Sequence, residues 1–212
     1  MDKRYLAQHL VNEGLFSREE LVDLLRRKSF EAVEAASGSQ PVPDEHPVMT
    51  AVQKAAGKEL LLEAEVYGEY MELFMKSLME FLEGPAVIET RAVQPDEMGD
   101  IFYAVSQRMD GDVSFVSGIM AEDREFAELA SRYSEETFDS ARDEVAVDSL
   151  EEFLNVVNGV FSIREAAKNE DIDLEVPRHG KLMNPNGNQQ LILRVHADFG
   201  AFYVVLSSDE FM

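Results

Sequence analysis

The feature that most constrains this chain is Asp110-Gly111, set between two stretches in which apolar residues alternate with polar ones. Ile101, Tyr103 and Val105 form one alternating run, and Val113, Phe115 and Ile119 form the other, less regular one. An Asp-Gly pair between two such runs is a strong hairpin signal, because both residues tolerate the positive φ of a tight turn. The spacing predicts strands over 86–94, 101–109 and 112–120, and hence antiparallel pairing. A helix over 122–134 is carried by Phe126, Leu129, Ala130 and Tyr133, and a long helix over about 142–168 comes next. Further strands are expected over 172–176, 191–197 and 201–207, the last two turning at Asp198-Phe199-Gly200. Upstream, a long helical region over 48–83 stops at Gly84-Pro85. This order predicts an α+β fold, with long helices packed on a largely antiparallel sheet.

Residues 1–36 read as a helical pair with a break at Gly14, and Ser17-Arg18-Glu19-Glu20 is a capping-box sequence for its second helix. The three prolines within 37–47 give that stretch the chemistry of a linker across which few contacts are expected. Residues 48–212 would then form the main domain. Residues 1–36 hold six basic and seven acidic side chains, so the rest of the chain carries nearly all of the net charge of −23. Such an excess of carboxylates argues against binding to nucleic acid or to anionic lipid, both of which need Lys and Arg to meet phosphates. With no cysteine, the chain has no disulfides, thiolate nucleophiles or thiolate metal sites. The opening Met1-Asp2-Lys3-Arg4 runs directly into an amphipathic pattern, and no apolar run is long enough to span a bilayer. A soluble, cytoplasmic protein is expected.

One helix has a chemical signature. On a helical wheel of residues 145–163, Phe153, Leu154, Val156, Val157, Val160 and Phe161 fall on one broad apolar face. Asp148, Glu152, Asn155 and Gly159 share a stripe roughly 60° wide on the other side, flanked by Asn158 and Ser162. Solvation alone accounts for a polar helix face. Asn is a poor mid-helix residue, however, and Gly costs about 1 kcal/mol relative to Ala. Both on one exposed stripe suggest that something approaches the backbone there.

The pattern Glu152-x-x-Asn155-x-x-x-Gly159, near the start of a long helix that comes after a strand meander and a helix, resembles the CheC/CheX family of chemotaxis phosphatases. The strand Asp112-Val113-Ser114-Phe115-Val116-Ser117-Gly118-Ile119 feeding the helix of Phe126-Ala127-Glu128-Leu129-Ala130 is similar too, and the likeness extends over roughly residues 60–208. It implies a phosphatase for the aspartyl-phosphate of a CheY-like receiver domain. Glu152 would pair with the receiver's active-site lysine, and Asn155 would orient the attacking water. Asp148, Asn158, Gly159 and Ser162 would meet the partner. The Mg²⁺ would belong to the receiver, leaving this chain with no cofactor or metal of its own. Residues 48–83 contain no Asn, so one site per chain is implied, as in the CheX branch, together with a homodimer. Val160-Phe161 after the glycine, Asn158 and the N-terminal pair depart from the family pattern. A non-catalytic module of the same fold, binding a receiver or a motility complex, is the alternative.

Other constellations are bland. His9, His46, His179 and His196 have no ligand spacing, and Asp171-Ile172-Asp173 and Asp96-Glu97-Met98-Gly99-Asp100 lack the order of a calcium loop. No phosphate-binding glycine loop, nucleophile elbow or HExxH occurs.

Overall fold

The computed structural model describes residues 5–26, 46–57, 64–82, 84–98 and 101–212. The chain divides into two compact units, residues 1–92 with 193–201 and residues 93–192 with 202–212.

The first unit holds α1 (Leu6–Asn12), α2 (Arg18–Arg26), α3 (Pro47–Ala56), α4 (Ala64–Phe81) and β1 (Val87–Ile88). The capping box forms as expected: Ser17 N donates to Glu20 Oε2 at 2.9 Å, and Glu20 N donates back to Ser17 Oγ at 3.3 Å. The bond from Ser17 N, with a second from Ser17 Oγ at 2.8 Å, holds the Glu20 carboxyl below its ordinary range. Ala7, Leu10, Leu21, Leu24 and Leu25 pack with Val87. Gln8 brackets the next residue of β1, donating to Ile88 O at 2.9 Å and accepting from Ile88 N at 2.7 Å. Asn12 Nδ2 donates to Pro47 O at 2.7 Å. Contacts therefore do join the N-terminal pair to α3 and β1, contrary to the expectation from the prolines. Most of the stretch 37–47, with the end of the N-terminal pair, lies outside the described residues, and Pro47 opens α3 as its first residue. The helical region expected over 48–83 is two helices, α3 ending at Ala56 with Gly57 as its cap at φ 61°. β1 is only two residues long and pairs antiparallel with His196 and Val195 of β6 (Leu191–Ala197).

The second unit is built on β2 (Phe102–Gly111), β3 (Phe115–Ala121), β4 (Ile172–Leu174), β5 (Arg178–Leu182) and β7 (Gly200–Ser207), with α5 (Asp123–Ser134) and α6 (Glu144–Ala166). β6 and β7 are joined by the turn the sequence places at 198–200. β7 pairs with β3 and β3 with β2, while β4 and β5 share the far edge of β2. All of these pairings are antiparallel, so the α+β expectation holds. The hairpin differs in detail. β2 and β3 pair out to Met109 opposite Phe115, and Asp110 and Gly111 do not form a two-residue turn. They continue β2 and pair instead with Asp173 and Ile172 of β4. Gly111 is still required, because at φ 145° a Cβ would collide with the carbonyl of Asp171. The chain then reverses over 112–114, where Ser114 Oγ accepts from Gly111 N at 3.0 Å. β5 has no apolar alternation (Arg-His-Gly-Lys-Leu) because it is an exposed edge, and the sequence pattern misses it.

Both faces of this sheet are covered. Met98, Phe102, Ala104, Val116, Met120 and Phe211 pack on one face. Gly118 leaves room there, since a Cβ would clash with the Phe211 ring. The alternate residues, Tyr103, Val105, Gln107, Phe115 and Ser117, face the helices. Tyr103 meets Phe126 of α5, and Phe115 meets Phe161 of α6 edge-on at 5.9 Å.

Candidate functional site

α6 is capped by Asp143, whose Oδ1 accepts from Val145 N at 2.9 Å and satisfies one of the free donors of the first turn. Its buried side is Ala146, Leu150, Phe153, Leu154, Val157 and Phe161, with Ser149, Asn158 and Glu165 among them. The two acidic and polar residues singled out by the sequence point outward. Glu152 and Asn155 are exposed, and so is Asp148. Among the described residues, the Glu152 carboxylate has no ion-pair partner. Its negative charge acts on the half-buried Tyr133, whose phenol is raised first by burial and then by Glu152. Gly159 is half-buried, and a Cβ built on it meets nothing within 4 Å among the described residues. The glycine therefore serves no packing within the fold.

Two expected contact residues are placed otherwise. Asn158 is 0% exposed and turns toward the sheet. Its Oδ1 accepts from Ser117 Oγ at 3.1 Å, and its Nδ2 donates to Gln107 Oε1 at 2.8 Å. The apolar face of the helix extends further round toward Asn158 than the wheel suggested, so this carboxamide lies beneath the stripe. Ser162 is half-buried and donates through Oγ to Ile172 O at 3.1 Å, tying α6 to β4. On the opposite margin the shift reverses. Val156 and Val160, expected in the core, are 49% and 39% exposed, and Val145 and Ile163 beside them are 51% and 72% exposed. The outward face of α6 thus combines a carboxylate, a carboxamide, a bare glycine and an apolar border.

Asn155 is exposed but not loose. Its Oδ1 accepts from Gln107 Nε2 at 2.7 Å, and the same Nε2 donates to Glu175 O at 2.8 Å. Gln107, on β2 and 1% exposed, was not singled out by the sequence. The signal was available: it falls in the inward phase of the run Tyr103, Val105, where a long amide is out of place.

At the N-terminal end of the stripe, Asp148 lines a pocket with Tyr103, Arg142, His179 and Lys181. Arg142 Nε donates to the Tyr103 oxygen at 3.1 Å, and Lys181 Nζ sits 4.6 Å from the ring centroid. The Arg142 bond draws the Tyr103 phenol below its ordinary range, with Lys181 adding to it against opposing burial. His179 Nδ1 lies 2.8 Å from Glu151 Oε1. Among the described residues, no group of three or more His, Asp or Glu is placed to hold a metal ion, and no helix is long and apolar enough to cross a membrane.

The chain is similar in structure to CheX- and CheC-like chemotaxis proteins. CheX from Vibrio vulnificus is 18% identical, with 66% of this chain and 95% of that one covered and a TM-score of 0.48. FliY from Thermotoga maritima is 15% identical, covering 69% and 90% with a TM-score of 0.49. A chain of the CheX–CheY–BeF₃–Mg²⁺ complex from Borrelia burgdorferi is 18% identical, covering 65% and 96% with a TM-score of 0.44. No family model and no curated protein matches the sequence.

Proposed function

We propose that this chain is a CheX-like phosphatase that hydrolyses the aspartyl-phosphate of a CheY-like receiver through the outward face of α6. The observation that supports the reading is the pairing of Glu152 and Asn155 on that face. One presents a carboxylate with no ion-pair partner among the described residues and the other a tethered carboxamide, three residues apart beside the open Gly159.

In the proposed reaction, water attacks phosphorus, the bond from phosphorus to the aspartyl oxygen breaks, and the carboxylate leaves with the bonding pair. The products are inorganic phosphate and the free aspartate. Such a transfer has a loose transition state and gains mainly from positioning and charge neutralisation. Asn155 Oδ1 has two lone pairs, of which Gln107 occupies one, so the other accepts a proton of the attacking water. Its Nδ2 has no partner among the described residues and donates to the phosphoryl oxygens. Glu152 meets the lysine of the receiver and sets the register. The phosphoryl group and its Mg²⁺ are the partner's. Asp148 and Gly159 lie at the contact, bordered by Val156 and Ile163, while Asn158 and Ser162 hold the helix from behind.

The test is phosphate loss from each phosphorylated receiver of the same organism, with and without the purified protein. Acceleration of at least one receiver, abolished by Asn155→Ala, supports the reading. Binding with no acceleration of any receiver overturns it in favour of a non-catalytic interaction module. A cytoplasmic homodimer is part of the same proposal, and light scattering that finds a monomer at micromolar concentration contradicts the dimer.

A further inference from the structure

We infer that Gln107 is a positioning residue, which fixes through a buried amide relay the end of the Asn155 carboxamide that meets the partner. The inference rests on the phosphatase reading for its kinetic consequence, though the relay itself is a property of the free protein.

Gln107 and Ser117 are cross-strand partners on β2 and β3, and both point toward α6. Ser117 Oγ donates to Asn158 Oδ1 at 3.1 Å, and Asn158 Nδ2 donates to Gln107 Oε1 at 2.8 Å. Gln107 Nε2 then uses its two hydrogens on Asn155 Oδ1 at 2.7 Å and Glu175 O at 2.8 Å. Reversing the Gln107 amide would set its N–H groups against those of Asn158 and its oxygen against two acceptors. Its orientation is therefore fixed from both sides. Ser117 and Asn158 are 0% exposed and Gln107 is 1% exposed, in an interface otherwise filled by Val105, Phe115, Val157 and Phe161. Apolar side chains would fold this interface as well, since a buried polar group is tolerated only when it is paired. What the relay adds is direction. It turns the Asn155 oxygen toward the sheet and the Nδ2 outward, and the donated hydrogen bond polarises the amide toward stronger donation. Glu175 brings the connection between β4 and β5 into the same arrangement, because its N also donates to Arg108 O at 3.0 Å.

The test compares wild type with Gln107→Met, which keeps the length of the side chain and removes its donors. Gln107→Glu, which keeps the acceptor for Asn158, serves if the first variant melts early. Side-chain amide ¹⁵N relaxation of Asn155 is measured in the free protein, and dephosphorylation of a responsive CheY-like receiver is monitored at varied receiver concentration. The expected result is a more mobile Asn155 amide and a kcat lower by about 10- to 100-fold, the range for outer partners that orient a reacting group, with KM within about twofold. In the background of Asn155→Ala, the same change should lower kcat no further. An unchanged Asn155 amide overturns the relay, whatever the activity. An unchanged kcat, or a full additional loss on top of Asn155→Ala, overturns the positioning role. A wild-type protein that accelerates no receiver defeats the phosphatase reading, while the relaxation measurement still decides the relay.

Discussion

α4 and α6 are both long helices with a glycine inside, and the two glycines have opposite surroundings. A Cβ on Gly68 of α4 would stand 2.9 Å from Met49 Cγ on α3, so that glycine lets two helices approach. A Cβ on Gly159 of α6 would meet nothing within 4 Å. The same contrast runs through the rest of each helix. α4 buries Tyr67, Tyr70, Met71, Phe74, Met75 and Leu78, and its described side chains include no large exposed apolar one. α6 exposes Val145, Val156, Val160 and Ile163, yet buries Ser149, Asn158 and Glu165. Folding explains the whole pattern of α4. It leaves the pattern of α6 half explained, and residues that break local rules without a folding reason are where function is to be sought.

The largest expected effect is on chemistry. Asn155→Ala should lower the rate of receiver dephosphorylation by about 10²-fold or more, as for loss of a single positioning donor. Thermal melting should change little, because the helix propensity gained with Ala offsets the lost bond from Gln107 Nε2, which still donates to Glu175 O. Kinetics and melting on the same sample check both halves.

Exchanging the glycines sharpens the comparison next. Gly68→Leu forces a side chain into Met49 and should cost about 1 to 3 kcal/mol of stability in denaturant titration. Gly159→Ala should add about 0.5 to 1 kcal/mol, since the site is open and the helix gains. Gly159→Leu should keep that stability and weaken receiver binding. A Gly159→Leu protein that binds as well as wild type would break the contrast.

Glu152→Gln should weaken receiver binding by up to about fivefold, the scale of an exposed ion pair, and should flatten its dependence on salt. Titration calorimetry at two ionic strengths reads both.

The smallest effect is on two tyrosines. Tyr103 is drawn below its ordinary range by Arg142, whereas Tyr133 is pushed above it by burial and by Glu152. In an alkaline absorbance titration, Tyr103 should ionise before Tyr133. Glu152→Gln should bring Tyr133 down slightly and leave Tyr103 in place. The linked stabilities have opposite signs. The folded state releases the Tyr103 proton early, so that contribution grows as pH rises toward the unfolded value near 10. It keeps the Tyr133 proton, so that contribution is lost above the same value.

Much of α6 was legible because a helix maps sequence spacing directly onto a face. Glu152, Asn155 and Gly159 needed only the period of the helix to be placed together, and all three lie outward or at open space. The margins of the face were less legible. Val156 and Val160 are apolar and yet exposed, since apolar character does not by itself bury a residue. Asn158 is polar and yet buried, because a sheet carrying Gln107 and Ser117 lies beneath it. That partnership joins residues 51 apart in sequence, a pairing that neither helical nor strand period encodes. The hairpin at Asp110-Gly111 shows the same limit. Local turn chemistry was right about a reversal nearby, but the pairing of Asp110 and Gly111 with β4 extended β2 and moved the turn to 112–114.

The contrast between the two helices is tested most directly by mapping where a receiver lands. A ¹⁵N-labelled sample titrated with a phosphorylated CheY-like receiver should show its strongest shifts at Glu152, Asn155, Val156 and Gly159, with α4 unmoved. Shifts concentrated on α4, with the outward face of α6 unmoved, would contradict the assignment.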